Sequence, residues 1–269
     1  MEKEIVVSFS WCLSSASLCW LTENHPKSKH RKKHYVFANT GRELTATIVF
    51  ARGWMRDYLE VSLNVIEAKI YPDERKSTGF TIVDDWNDIS MDGEPFEAVI
   101  SKYGLPSIAF PHCTRELKIN PIKAFIREHL GLQKDEYVEA IGMRFDEPKR
   151  VKNDPNYIYP LYDLGVTKQH VNDFFQEDYH RREIYGLQIE EFEGNCDFCY
   201  KKSHSKLMKM FAKHSSRFLW WDDMQEKYWE LDTEIFRGKK LSRDLLIEGL
   251  DNKDAELEKD YDCACGRDW

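Results

Sequence analysis

Cys196 and Cys199, with Asp197 and Phe198 between them, form the pair whose spacing bears most directly on chemistry. A CxxC pair can give two sulfur ligands to one metal, act as a redox couple, or pack as small apolar side chains near a helix start. The chain has seven cysteines. An odd number fits reduced thiols or metal ligands better than a disulfide framework. Cys113 with Cys263 or Cys265 can complete a four-sulfur set, which suits zinc or an iron–sulfur cluster. Lys201, Lys202 and His204 follow the pair, where cations or N–H donors would stabilise a negatively charged cluster. Cys12 and Cys19 read as small buried apolar residues.

The elements that must position these residues alternate. Residues 4–10 (EIVVSFS) read as a strand and residues 14–23 as a largely apolar helix. A charged loop follows over residues 27–34, then a strand over 34–39, a helix over 43–58 and a strand over 64–70. Alternating strands and helices predict a parallel sheet with right-handed crossovers, whose loops gather at one edge. Residues 71–109 read as a long excursion with one short helix near 96–102. Further on come a helix over 119–130, a strand over 137–143 and a helix over 167–175 with Thr167 as N-cap. From Gly194 the pattern predicts two helices, 202–213 and 218–229, followed by a polar tail with an acidic stretch over 251–262. The expected division is an α/β domain over 1–193 and a helical, cysteine-containing region over 194–269. Trp220, Trp221, Tyr228 and Trp229 fall at helical spacing and read as core.

With 269 residues, 42% of them apolar, the chain can bury a sizeable core. The net charge of −8 disfavours a general polyanion-coating role. A local basic patch over residues 27–33 is the one feature that suits nucleic acid. Apolar runs stay far below the roughly 20 residues of a membrane span. The opening residues lack the pattern of a secretory leader, so the expected location is cytoplasmic, with no membrane partner.

Four strings occur in one order: Ile5-Val6-Val7-Ser8-Phe9-Ser10, Phe37-Ala38-Asn39-Thr40-Gly41-Arg42-Glu43, Cys113-Thr114-Arg115-Glu116-Leu117-Lys118, and Gly142-Met143-Arg144-Phe145-Asp146-Glu147. With Tyr159-Pro160-Leu161-Tyr162-Asp163-Leu164 and Gly194-Asn195-Cys196-Asp197-Phe198-Cys199, the chain resembles the phosphoadenosine phosphosulfate reductase-like branch of the adenine-nucleotide α-hydrolase (PP-loop) superfamily, in versions common in bacteriophages and prophages. The likeness spans roughly residues 4–230 and most of the tail. It implies a Rossmann-like parallel-sheet α/β fold, an adenylyl nucleotide as substrate, and a phage-encoded protein in the cytoplasm of a bacterial host. It further implies sulfur-transfer or thiol-redox chemistry with a thiol reductant.

By the same resemblance, Ser8, Ser10, Ser14 and Ser15 hold phosphate, as in the Ser-rich loop of the reductases. Thr40, Gly41 and Arg42 contact the nucleotide, with Arg42 meeting a phosphate bidentately. Arg115, Lys118, Arg144 and Arg150 complete an anion pocket in which Asp146 and Glu147 orient the arginines. Cys113, Cys196 and Cys199 ligate a 4Fe–4S cluster, with zinc as the alternative and Cys263 as the fourth ligand. Cys265, in a Cys-Gly segment, is the expected nucleophile. Relatives place Ser-Gly-Gly where this chain has Ser10-Trp11-Cys12, and a bulky residue there is expected to deny the turn its bare backbone. Two alternatives follow from that departure. One is a catalytically degenerate phage protein that keeps the fold and metal site to bind a phage or host protein. The other is an enzyme that thiolates or otherwise modifies nucleic acid.

Overall fold

In the computed structural model the described residues are 2–73, 75–186, 190–228, 233–236 and 241–251. In chain order they form β1 (Glu4–Ser8), α1 (Leu13–Asn24), β2 (Lys33–Asn39), α2 (Thr45–Arg52), β3 (Leu63–Lys69), β4 (Gly79–Val83), α3 (Glu94–Tyr103), α4 (Asn120–Glu128), β5 (Tyr137–Ala140) and β6 (Tyr157–Ile158). Then follow α5 (Pro160–Asp163), α6 (Lys168–Gln176), α7 (Tyr179–Gly186), α8 (His204–Lys227) and α9 (Ser242–Asp251). The six-stranded sheet has the order β4-β3-β2-β1-β5-β6. Every pairing is parallel except β3 with β4.

Continuous β-branched and aromatic runs form the central strands because both faces of the sheet are covered. Ile5 and Val7 of β1, with Tyr35 and Phe37 of β2, pack in one cluster with Leu18 of α1, Phe50 of α2 and Phe175 of α6. Val6, Val36 and Ala38 point the other way, onto Ile122, Phe125 and Ile126 of α4. This inside-outside alternation is the period-two geometry of a strand. A third cluster lies beyond the sheet. There Ala68 of β3 and Phe96, Val99 and Ile100 of α3 meet Cys196, Phe198 and Cys199, together with Phe218 and Trp221 of α8. The residues between the two cysteines are thus packed against the α/β body.

The α/β class with a mostly parallel sheet holds, and several boundaries move. The expected helix over 43–58 is α2 followed by a π-helical segment, Gly53–Tyr58, and a second π-helical segment, Arg115–Ile119, leads into α4. The excursion conceals β4, an antiparallel edge strand, because Asp, Gly and Pro around it mask a five-residue run. The two expected C-terminal helices are the two arms of α8, which meet at a non-helical kink at His214 (φ −136°, ψ 32°). Part of the expected polar tail is the helix α9. Thr167 caps α6, its hydroxyl accepting from the His170 amide. The acidic stretch after residue 251, Trp229, Cys263 and Cys265 lie outside the described residues.

The chain runs outward from β1 to β2 and β3, then returns to the other side of β1 as β5 and β6. In open α/β sheets such a reversal leaves a crevice at the carboxyl ends of the strands. Here the loops after β1 (residues 9–12) and after β5 (residues 141–147) flank it, and the loop after β2 lies next along the edge.

Candidate functional site

Residues 9–12 turn sharply from β1 into α1. Trp11 adopts a left-handed backbone (φ 56°), and its indole is buried against Phe37, with ring centroids 3.6 Å apart, and near Trp86 at 6.4 Å. A non-glycine residue in this region costs about 1–2 kcal/mol. Burying an indole of 150–250 Å² returns roughly 4–6 kcal/mol at 25 cal/mol per Å². Burial wins, so the turn persists with a bulky residue in it, held by a hydrophobic anchor. What differs from a bare phosphate cradle is where the amides go. Ser10 N and Cys12 N both donate to Ser15 Oγ at 3.2 Å, and that hydroxyl donates to Cys12 O at 2.9 Å. The loop thereby satisfies two amides that an anion would otherwise receive.

Across the crevice, Arg144 Nη1 donates to Ser14 Oγ in the first turn of α1 at 2.9 Å. Asp146 holds the same guanidinium through Nε at 3.0 Å, and Glu147 takes the Arg144 amide at 3.2 Å and pairs with Arg150. Ser8 ends β1 with its hydroxyl buried and without a hydrogen-bond partner. Thus Ser8, Ser10, Ser14, Ser15 and Arg144 gather at one edge of the sheet.

The loop after β2 is committed inward. Gly41 has φ 79°, and a Cβ there would lie 2.9 Å from Pro95 Cδ, so glycine is required on both counts. Thr40 Oγ1 donates to the buried Glu43 carboxylate and lies 3.2 Å from Cys196 Sγ. Burial raises the Glu43 carboxyl above its usual range, with Lys118 and Thr40 opposing. Arg42 is buried and forks onto Asp197, with Nε to Oδ1 at 3.1 Å and Nη2 to Oδ2 at 2.7 Å. Its Nη2 also donates to Arg217 O at 2.8 Å, and its guanidinium lies 4.7 Å from the centre of the Trp220 ring. Arg217 Nε reaches the same carboxylate. The bidentate partner expected for Arg42 was a phosphate; in this structure it is Asp197. Desolvation lowers the Arg42 pKa, opposed by Asp197. Removing one partner of such a pair strands a buried charge at a cost of about 3–5 kcal/mol.

Cys113, Cys196 and Cys199 share the third cluster. Cys113 Sγ lies 3.4 Å from the Tyr200 hydroxyl. Burial, then the Glu43 charge, pushes the Cys196 thiol up to about 12, so it is a poor nucleophile. Among the described residues no group of three or more His, Cys, Asp or Glu side chains is arranged to hold a metal ion. Cys113, Cys196 and Cys199 lie in one cluster, and Cys263, expected to complete their ligand set, lies outside the described residues. Lys202, expected beside a cluster, donates instead to the carbonyls of Phe192 and Gly194 and ties the CxxC loop down. His204 pairs with Glu248 at 2.8 Å. Arg115 points to solvent with Glu116 at 2.6 Å and does not join the crevice cations.

Asp197, Arg217 and Trp220 were not among the expected site residues. A lone acidic residue inside an otherwise apolar CxxC string was the available signal for Asp197. Nothing in the spacing linked Arg217 to Arg42 across 175 residues.

No family model and no solved structure matches the chain, and no helix among the described residues is long and apolar enough to cross a membrane. The chain is 34% identical over 210 residues to the uncharacterized nin region protein ORF290 of Escherichia phage lambda. The match spans 75% of this chain and 67% of that protein, which supports a phage origin. On that identity and coverage, the chain belongs to the family of the phage lambda nin region protein ORF290.

Proposed function

We propose that this chain is a phosphoadenosine phosphosulfate reductase-like protein that binds an adenylyl nucleotide across the carboxyl edge of its parallel sheet. The observation that carries the reading is Arg144 Nη1 meeting Ser14 Oγ at the N-terminus of α1, on the crevice where the strand order reverses. A helix N-terminus offers unpaired amides and a positive dipole end, and a guanidinium beside it adds a planar oxyanion fork. Ser10 and Ser14 would supply hydroxyls to the phosphates. Sulfur-transfer or thiol-redox chemistry, with Cys265 as the thiol, remains what the resemblance implies.

Calorimetric titration with ATP, adenosine phosphosulfate and phosphoadenosine phosphosulfate tests this reading. Heat with at least one is expected, and Arg144→Ala should weaken that binding by about tenfold or more, the effect of losing one charge-assisted hydrogen bond. Silence with all three overturns it.

A second reading is favoured by a specific observation. The amides of Ser10 and Cys12 are closed on Ser15, and Arg42 is closed on Asp197. A chain that had turned its phosphate ligands inward would serve as a binding module for a phage or host protein. The nucleic-acid reading has less support. The basic segment precedes β2 at the opposite end of the strand from the crevice, about 20 Å away for seven residues. There Lys32 pairs with Glu4, Lys33 with Glu23, and Arg31 with the Lys3 carbonyl.

A further inference from the structure

Arg42 and Arg217 converge on one carboxylate that is entirely withdrawn from solvent. The Arg42 fork takes both oxygens of Asp197, Arg217 adds a donor to Oδ2, and the Trp220 ring faces the Arg42 guanidinium. Two guanidinium groups around one planar oxyanion are also the arrangement that recognises a phosphate or sulfate group. Asp197 is delivered by a short turn tied to the loop that carries Arg42. Its amide donates to Arg42 O at 2.7 Å, and Cys196 Sγ lies against Thr40 Oγ1. The turn is also strained at Phe198, whose φ of 39° is a left-handed conformation that a bulky L side chain disfavours. Were that turn to relax, the arginines would be left for another oxyanion.

We propose that Arg42 and Arg217 form an oxyanion-binding pair that Asp197 fills as an internal ligand, so that the chain keeps the loop after β2 in a self-inhibited state. This rests on, and deepens, the reading of that edge as a nucleotide site. The external ligand is a phosphate or sulfate group, and the Asp197 turn must withdraw before it enters.

Thermal unfolding of the full chain tests the proposal, with sulfate or inorganic phosphate added against chloride at matched ionic strength. Asp197→Ala is expected to melt below the native protein and to rise by about 3 °C at roughly ten times the anion's dissociation constant. The native protein is expected to show no such anion-specific rise, and the double variant Arg42→Ala, Asp197→Ala should lose it. Absence of the rise in Asp197→Ala, an equal rise in the native protein, or persistence in the double variant would each overturn the proposal. Should Asp197→Ala fail to fold, Asp197→Asn keeps the side chain's size while weakening its hold. A sulfate-dependent rise in that variant, abolished by Arg42→Lys, supports the internal ligand, and no rise overturns it. The nucleotide titration separates the two claims. Sulfate response without nucleotide heat keeps the internal ligand and removes the nucleotide reading. ATP heat in the native protein, with no anion response in either Asp197 variant, does the reverse.

Discussion

At the scale of single residues, two side chains sit where their intrinsic preferences argue against them, and each gives a measurable consequence. Trp11 trades left-handed strain for indole burial against Phe37. Trp11→Ala should cost about 3–5 kcal/mol, the usual range for truncating a buried aromatic side chain. Trp11→Gly should be less damaging by about 1 kcal/mol, because glycine relieves the positive φ. Urea denaturation of both variants checks this order; an alanine variant as stable as the glycine variant would mean the backbone is not strained there. Glu139 of β5 is buried, and burial raises its carboxyl to about 7, opposed by Lys123. The folded chain therefore keeps a proton that the unfolded chain releases from about pH 4.5 upward. Its contribution to stability is full below that pH, declines as pH rises to about 7, and levels off beyond it. Glu139→Gln should remove up to about 3 kcal/mol of this decline. Unfolding midpoints at pH 5 and pH 8, native against variant, isolate it; parallel pH dependence in the two proteins would contradict it.

At the scale of elements, the contact between α3 and α8 depends on a residue without a side chain. Gly93 caps α3 at φ 99°, and a Cβ there would come within 2.6 Å of Trp220, the ring that faces Arg42. Gly93→Ala should destabilise by about 2 kcal/mol or more, through backbone strain plus overpacking, and should shift the tryptophan emission maximum. A native spectrum with unchanged stability would show that α8 does not seat on this turn. The same elements show how far the pattern of residues could be read. The apolar runs of β1 and β2 and the Thr167 cap of α6 were legible because burial and capping leave local signatures. Strand β4 was not, because an edge strand needs only a few residues and gains its order from pairing with β3. The π-helical segments 53–58 and 115–119 were equally hidden, since their wider turns accommodate neighbours rather than a local preference.

At the scale of the whole molecule, the crevice and the basic segment occupy opposite ends of the sheet, so charge reversal at Lys27 and Lys29 should leave nucleotide binding within about twofold at physiological salt, where the Debye length is about 8 Å. A tenfold loss in the titration would place that segment functionally at the site. The third cluster joins the CxxC residues to α3 and β3, which makes the C-terminal helices part of the wall around the loop after β2. The order of residues by itself determined the alternating strands, the parallel sheet and the edge at which Ser14 and Arg144 come together, because hydrophobic period and crossover handedness are properties of chain segments. Only the tertiary structure decided what those residues touch. Arg42 lies on Asp197, the Ser10 and Cys12 amides on Ser15, and Lys202 on the carbonyls of Phe192 and Gly194. Arg42 and Asp197 are far apart along the chain, and a buried guanidinium takes whichever oxyanion the packing of distant elements brings within its reach.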